Sequence, residues 1–271
     1  MGNIILGACL YFIIGTIFGS FYNVVIYRVP ADESFISGSS HCMTCGHPLA
    51  WKDMIPILSY VSLGGKCRYC KTPYSPRYSV VEAIGGLIAA CAFLSSGYSL
   101  QSLILFCFWS MLLVVAVIDM DQYIIIDEVW LTFTVISYAL IVIEDYRTWY
   151  WPLLGAVTGF AFYGLIYLLS KFYYKEEAFG SGDVLLMAAC GVVLLPTWTV
   201  LAGFGAFFVA GAFLLVLKLL KKEVRAATKI PFGPFIAISS FLCSLGYHLY
   251  QVLNHQVIIN YSVAELLSHF I

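Results

Sequence analysis

The sequence predicts an all-α polytopic membrane protein of about eight transmembrane helices, interrupted once by a hydrophilic insert. Two observations carry that expectation. The first is composition. Of 271 residues, 61% are hydrophobic and only 11% are charged, against about 45–50% and about 25% in ordinary soluble domains. Fourteen basic and fifteen acidic side chains cannot clothe a water-soluble globule of this length, and the mean hydropathy is +0.90. The second is patterning: apolar runs long enough to cross about 30 Å of hydrocarbon recur along the chain. A soluble enzyme, a disordered chain and a coiled coil are excluded. A net charge of -1 also gives no field for nucleic acid.

The expected spans fall at roughly 4–27, 79–97, 101–118, 129–144, 151–170, 184–198, 199–217 and 234–252. The first is read as a retained helix, because Arg28-Val29-Pro30 follows it where a signal peptide would carry small residues for cleavage. Trp149, Tyr150 and Trp151 anchor the start of the fifth at an interface. The sixth and seventh are parted only by the turn Leu195-Pro196-Thr197-Trp198. Beyond the eighth, Asn254 to Ile271 reads as a short amphipathic helix on the outer surface. No internal repeat stands out.

Charge then orients the chain. Arg28, Lys52, Lys66, Arg68, Lys71 and Arg77 lie in the first long loop. Lys171 and Lys175, then Lys218, Lys221, Lys222, Arg225 and Lys229, lie in two further loops on the same side, and Arg147 stands alone on the other. The positive-inside rule makes the 28–78 loop cytoplasmic and leaves both termini outside. Three parts follow: a first transmembrane helix over 1–27, a cytoplasmic insert over 28–78, and a helical bundle over 79–271.

Nine cysteines divide by context. Cys9, Cys91, Cys107, Cys190 and Cys243 sit singly in apolar runs and read as small hydrophobes. Cys42 with Cys45, and Cys67 with Cys70, form two Cys-x-x-Cys pairs with 21 residues between them. Four thiolates so spaced suit the tetrahedral sulfur cage of a structural zinc, which leaves no open position for catalysis. The reducing cytoplasm disfavours disulfides, and a thioredoxin-like pair would want a βαβ context. His41 or His47 could replace one cysteine ligand. An insert this short has little core, and metal binding would stabilise it.

Carboxylates at the membrane edge are functional candidates, because burying one is costly. Asp127 precedes an apolar run and reads as a helix N-cap, with Glu128 complementing the dipole. Asp183, after Gly180-Ser181-Gly182, reads equally as cap or site. Asp119 follows an apolar run, near the negative end of its helix, where capping does not explain it. Asp121 points to another face and reads as solvated. Two carboxylates brought together would share a proton, one taking a proton from water while the other polarises a peptide carbonyl. Gly180 and Gly182 would let the backbone approach closely. That is the design of an aspartyl protease.

At these residues the chain resembles the type IV prepilin peptidases, bacterial inner-membrane members of the GxGD aspartyl protease group. The likeness runs through Gly19 to Pro30, the two cysteine pairs, Arg77-Tyr78 leading to Glu82, Ile118-Asp119, Gly180-Ser181-Gly182-Asp183 and Pro231-Phe232-Gly233-Pro234. It departs where Ile126 precedes Asp127 and where Ser79 follows Tyr78, positions at which the family often has proline. The resemblance implies catalytic aspartates at Asp119 and Asp183 and cleavage of the basic leader of prepilins or pseudopilins at the cytoplasmic face. It also implies N-methylation of the new terminus with S-adenosylmethionine. No residue is assigned to that donor, and no glycine-rich cofactor fingerprint of soluble type occurs. Glu82 and Asn23 are polar groups inside spans, suited to substrate or helix-packing hydrogen bonds. Two other readings stay open: an ion or solute transporter working through acidic residues, and a non-enzymatic zinc-bearing scaffold of a secretion system. A transporter would place its carboxylates nearer the midplane. A scaffold leaves Asp119 and Asp183 unexplained.

Overall fold

The computed structural model describes residues 2–36, 38–174, 180–220 and 230–268, and every regular element among them is helical. The chain divides into two compact units, Met1–Glu144 and Asp145–Ile271. Lys175, Lys221, Lys222, Arg225 and Lys229 lie outside the described residues.

The first unit opens with α1 (Gly2–Arg28), which ends in a tight turn at Val29–Ala31 where Pro30 cannot extend the helix. After the insert, which holds the short α2 (Leu58–Leu63), come α3 (Arg77–Ser96), α4 (Leu100–Gln122) and α5 (Asp127–Glu144). Gly97, at φ 66, stops α3 in a conformation that favours glycine. Ser99 caps α4 by accepting from the Ser102 N–H at 3.3 Å. Tyr123 ends α4 in the left-handed region, its N–H donating to the Asp119 carbonyl at 2.9 Å. The large buried side chains Phe108, Trp109, Met111 and Ile118 all belong to α4.

Glycine sets the packing of α1 on α3. A Cβ on Gly15 would overlap the Gly85 carbonyl, and one on Gly19 would fall 2.7 Å from the Glu82 Cα. Gly15 and Gly19 form a Gly-x-x-x-Gly pair, the spacing that lets membrane helices touch backbone to backbone. Asn23 adds a packing hydrogen bond, its Nδ2 donating to the Tyr78 carbonyl at 3.0 Å.

The second unit comprises α6 (Tyr150–Tyr174), α7 (Ser181–Leu219) and α8 (Gly233–Ser268). Here Gly155 and Gly159 repeat the device: side chains on them would overlap the carbonyls of Gly191 and Met187 on α7. α7 has 39 residues, about 58 Å of helix and roughly twice the hydrocarbon thickness. It is broken at Leu195, whose φ of 64 and ψ of 167 are not helical, just before Pro196. The expected turn at that place is therefore a one-residue break. Tyr163, fully buried on α6, donates to the Gly203 carbonyl at 3.0 Å.

Among the described residues, five helical segments are long and apolar enough to cross a membrane: 3–31, 77–96, 100–122, 146–173 and 181–219. The chain is a multi-pass membrane protein. α5 is only 18 residues long and carries Asp127, Glu128 and Glu144. The separate helix expected from Asn254 is instead a continuation of α8, which runs unbroken to Ser268.

Candidate functional site

The insert is built from two copies of one turn. Cys42, Cys45 and Pro48 match Cys67, Cys70 and Pro73, each 25 positions on, so an internal repeat does exist, too short and sparse to stand out in the sequence. In each copy the second cysteine is followed by a left-handed residue, Gly46 (φ 68) or Lys71 (φ 60), which folds the chain back. The N–H of that residue donates to the carbonyl of the first cysteine, at 2.8 Å from Gly46 to Cys42 and 3.0 Å from Lys71 to Cys67. Bridges pair His41 with Pro48 and Lys66 with Pro73.

The two turns bring the four Sγ atoms within 4.8 Å of one another, with Cys42 and Cys70 at 3.9 Å. A tetrahedral site with metal–sulfur bonds of about 2.3 Å needs sulfur–sulfur edges of about 3.8 Å, so the four thiols could hold a metal ion. Hydrogen bonds with the Thr72 side chain and backbone draw the Cys70 thiol down to about 6. The N–H groups of Cys45 and Thr44 lower Cys42. Thiolate is the ligating form, and these two positions favour it. The His47 N–H holds Cys45 down, but desolvation and the Cys42 and Cys70 thiols outweigh it and push that thiol up to about 11. His47 is outside the sulfur cluster: its ring stacks on Tyr69 at 3.6 Å, tying one turn to the other. His41 turns its Nδ1 toward the Ser39 carbonyl at 3.4 Å.

Asp53 ties the second turn to the stretch between them. Its carboxylate accepts from Arg68 Nε at 2.6 Å, from the Tyr69 hydroxyl at 3.1 Å and from the Ala50 N–H at 3.2 Å. The Arg68 guanidinium holds the carboxyl below its ordinary range. Glu82 fastens the insert to the spans: buried on α3, it accepts the Ile57 N–H at 2.8 Å.

Asp119 stands in the last turn of α4 and is 5% exposed. Two residues on, Asp121 is ion-paired with Arg77 at the start of α3. It is therefore not simply solvated, as the sequence suggests, because α3 begins beside the end of α4. Arg77 also lies over the Tyr27 ring at 5.5 Å, and Tyr27 stacks on Tyr78 at 5.1 Å. Asp127 opens α5 rather than preceding it, and accepts from Trp130 Nε1 at 2.9 Å.

In the second unit, Gly180 is the N-cap of α7, and Asp183 is its third helical residue, 8% exposed. The carboxylate folds back over the cap: a Cβ on Gly180 would meet Asp183 Oδ2 at 3.0 Å. Gly180 thus leaves room for the carboxylate itself. Gly182 is the second helical residue. The two candidate aspartates lie in different units, Asp119 at a helix C-terminus and Asp183 at an N-terminus. The ties made by Asp53, Arg77 and the Gly-x-x-x-Gly pairs were all missed from sequence. Only the glycine spacing carried a readable signal.

Known proteins match both units. The Bacterial Peptidase A24 N-terminal domain matches residues 13–96, and the Type IV leader peptidase family matches residues 104–215. A prepilin leader peptidase/N-methyltransferase of Bacillus subtilis is 32% identical over 234 residues, 86% of this chain and 92% of that protein. One from Burkholderia pseudomallei is 31% identical over 255 residues, covering 83% and 81%. One from Myxococcus xanthus is 34% identical over 214 residues, covering 79% of this chain and 63% of its own length. No solved structure matches.

Proposed function

The chain belongs to the type IV leader peptidase family, and from that membership we propose a reaction and a set of residues. It is a membrane endopeptidase that removes the leader of type IV prepilins or pseudopilins and N-methylates the new terminus. The observation that carries this reading is the family match across both units in order, with a buried carboxylate at a helix end in each.

Asp119 and Asp183 act together on one peptide bond. The helix ends that carry them differ in sign, with α7 offering partial positive charge at Asp183 and α4 partial negative charge at Asp119. That polarity suits Asp183 as the carboxylate that takes a proton from water, and Asp119 as the acid. The water oxygen attacks the scissile carbonyl carbon while Asp119 gives its proton to the carbonyl oxygen. On collapse one hydroxyl of the intermediate returns its proton to Asp119 as the carbonyl re-forms, the C–N bond breaks, and the proton held by Asp183 passes to the leaving amine. Gly180 leaves space for the Asp183 carboxylate, and Gly182 lets the turn flex.

Zinc fits the four-sulfur cage of Cys42, Cys45, Cys67 and Cys70, as a structural ion with no open position. S-adenosylmethionine supplies the methyl group in N-methylation. The apolar groove between α1 and the insert does not fit it, because the lining offers no carboxylate for a ribose. The basic loops support a cytoplasmic 28–78 insert with the reaction at that face, a topology in which α7 crosses twice at its break at Leu195. The charge pattern favours this over a transporter, because the carboxylates stand at helix ends rather than mid-span.

The test is cleavage of a prepilin substrate by the full chain in detergent. Asp119→Asn and Asp183→Asn each lose on the order of 10²–10⁴-fold in rate while keeping helical content and monodispersity. Retained cleavage in either folded variant overturns the pair. A wild-type protein inactive on several prepilins overturns the whole reading.

A further inference from the structure

The stretch from Trp51 to Val61 has the wrong surface for a cytoplasmic loop. Trp51, Leu58 and Val61 are 68%, 66% and 69% exposed, and Met54 and Ile55 are exposed beside them. Leu58 and Val61 share the outer face of α2, while Ser59 is turned inward and buried. Five exposed large apolar side chains within eleven residues mark a surface suited to meet something other than water.

Two contacts fix where it lies against the spans. Trp51, Met54, Ile55 and Pro56 form one wall of a groove of about 530 Å³ whose other wall is Ile17, Ser20, Phe21 and Val24 of α1. Ile17 is eleven residues before Arg28, roughly 16 Å along the helix at 1.5 Å per residue. The interfacial zone on each side of a bilayer is only about 5–8 Å thick. The second contact is Glu82, five residues into α3, which takes the Ile57 N–H. The insert therefore folds back beside the spans instead of standing beyond them.

Its backbone is equipped for that place. Ile57 sits at φ 62 and ψ −50, the centre of a γ-turn in which the Leu58 N–H donates to the Pro56 carbonyl at 2.6 Å. The N–H groups of Met54, Ser59 and Val61 donate to the carbonyls of Trp51, Ile55 and Ile57 at 3.0–3.2 Å. Non-helical backbone persists at membrane depth only where its polar groups are satisfied by protein. Lys52 lies over the Trp51 ring at 5.5 Å, and a lysine of this kind lays its methylene stem along apolar surface while its ammonium reaches outward to polar surroundings.

We propose that Trp51–Val61 is a membrane-seated anchor and that a phospholipid acyl chain occupies the groove between it and α1. The lipid-facing side of α1, where Ile17 and Phe21 are exposed, runs straight into that groove. This continuity selects lipid over a second protein. The zinc turns then stand against the bilayer surface. The inference rests on the chain spanning a membrane and not on its catalytic reading.

The test reads tryptophan emission of the full chain in bilayers of phosphatidylcholine and phosphatidylglycerol with brominated acyl chains. Wild type minus Trp51→Phe isolates the Trp51 signal. Bromolipid removes more than half of it, whereas aqueous iodide removes little. Quenching by iodide alone places Trp51 in water and overturns the proposal. Quenching by neither places it under protein, a second copy included, and also overturns it. Leu58→Trp in the Trp51→Phe background repeats the reading from α2, with the same expected loss and the same overturning results. Catalysis enters neither reading, so failure here leaves the peptidase assignment untouched.

Discussion

The insert and the spans of the first unit are held by opposite means. In the spans, side chains are removed so that backbones can touch: Gly15 and Gly19 lie against Gly85 and Glu82. In the insert, polar and sulfur groups are gathered: four thiols within 4.8 Å, and Asp53 with three donors. Lipid offers no hydrophobic drive for helix association, so close van der Waals contact has to supply it. The insert has too little apolar core for that route and relies on directional bonds, among them a sulfur cluster that could hold a metal ion. Glu82 is where the two schemes meet, packed under Gly19 and bonded to Ile57.

The sharpest way to break this contrast is to add bulk where backbones touch. Gly155→Leu drives a side chain into the Gly191 carbonyl and destabilises the second unit by about 3 kcal/mol or more. Thermal unfolding in detergent should show that loss, with metal content unchanged. A tolerated leucine would mean that glycine packing is not what holds α6 to α7.

Removing a thiol should do the reverse. Cys42→Ser, or exhaustive chelation, lowers bound zinc from about one per chain to near zero and exposes the insert to protease while helical circular dichroism stays. Loss of the helical signal along with the metal would show that the bundle needs the insert in order to fold. Gly180→Ala tests a glycine kept for a carboxylate rather than for a neighbouring helix. Its Cβ would stand 3.0 Å from Asp183 Oδ2, and cleavage falls on the order of 10–100-fold with the melting temperature little changed.

The smallest expected effect lies at Asp53. Its folded carboxyl is held below the ordinary range by Arg68, so the group binds fewer protons folded than unfolded. Its stabilisation is full above the ordinary carboxylate value of about 3.9 and is lost as pH falls through the depressed value. Hydrogen exchange in the insert should therefore separate wild type from Asp53→Asn at neutral pH, and the gap should close in strong acid. A gap independent of pH would assign Asp53 a packing role instead.

Much of this was legible because it rests on local chemistry. Two Cys-x-x-Cys pairs announce a four-sulfur cluster, and the apolar runs announce spans. The repeat of Pro48 at Pro73 is legible in the residue spacing, as is that of Gly155 and Gly159, although a span's high hydropathy masks the second. Leu195-Pro196 reads correctly as a boundary, since proline cannot continue the helix before it. Asp121 reads as solvated because nothing in its neighbourhood names Arg77, 44 residues earlier.

The sequence by itself determined the class of this protein, a multi-pass membrane chain with two Cys-x-x-Cys turns and acidic residues at span ends. Composition, residue spacing and local backbone preference are properties of neighbours along the chain. Only the tertiary structure decided that Asp53 gathers Arg68 and Tyr69, that Glu82 takes the Ile57 N–H, and that the insert lies beside α1. Those pairings join residues far apart in sequence. They depend on which helix backbones can come close enough to touch, and that is settled when the helices pack.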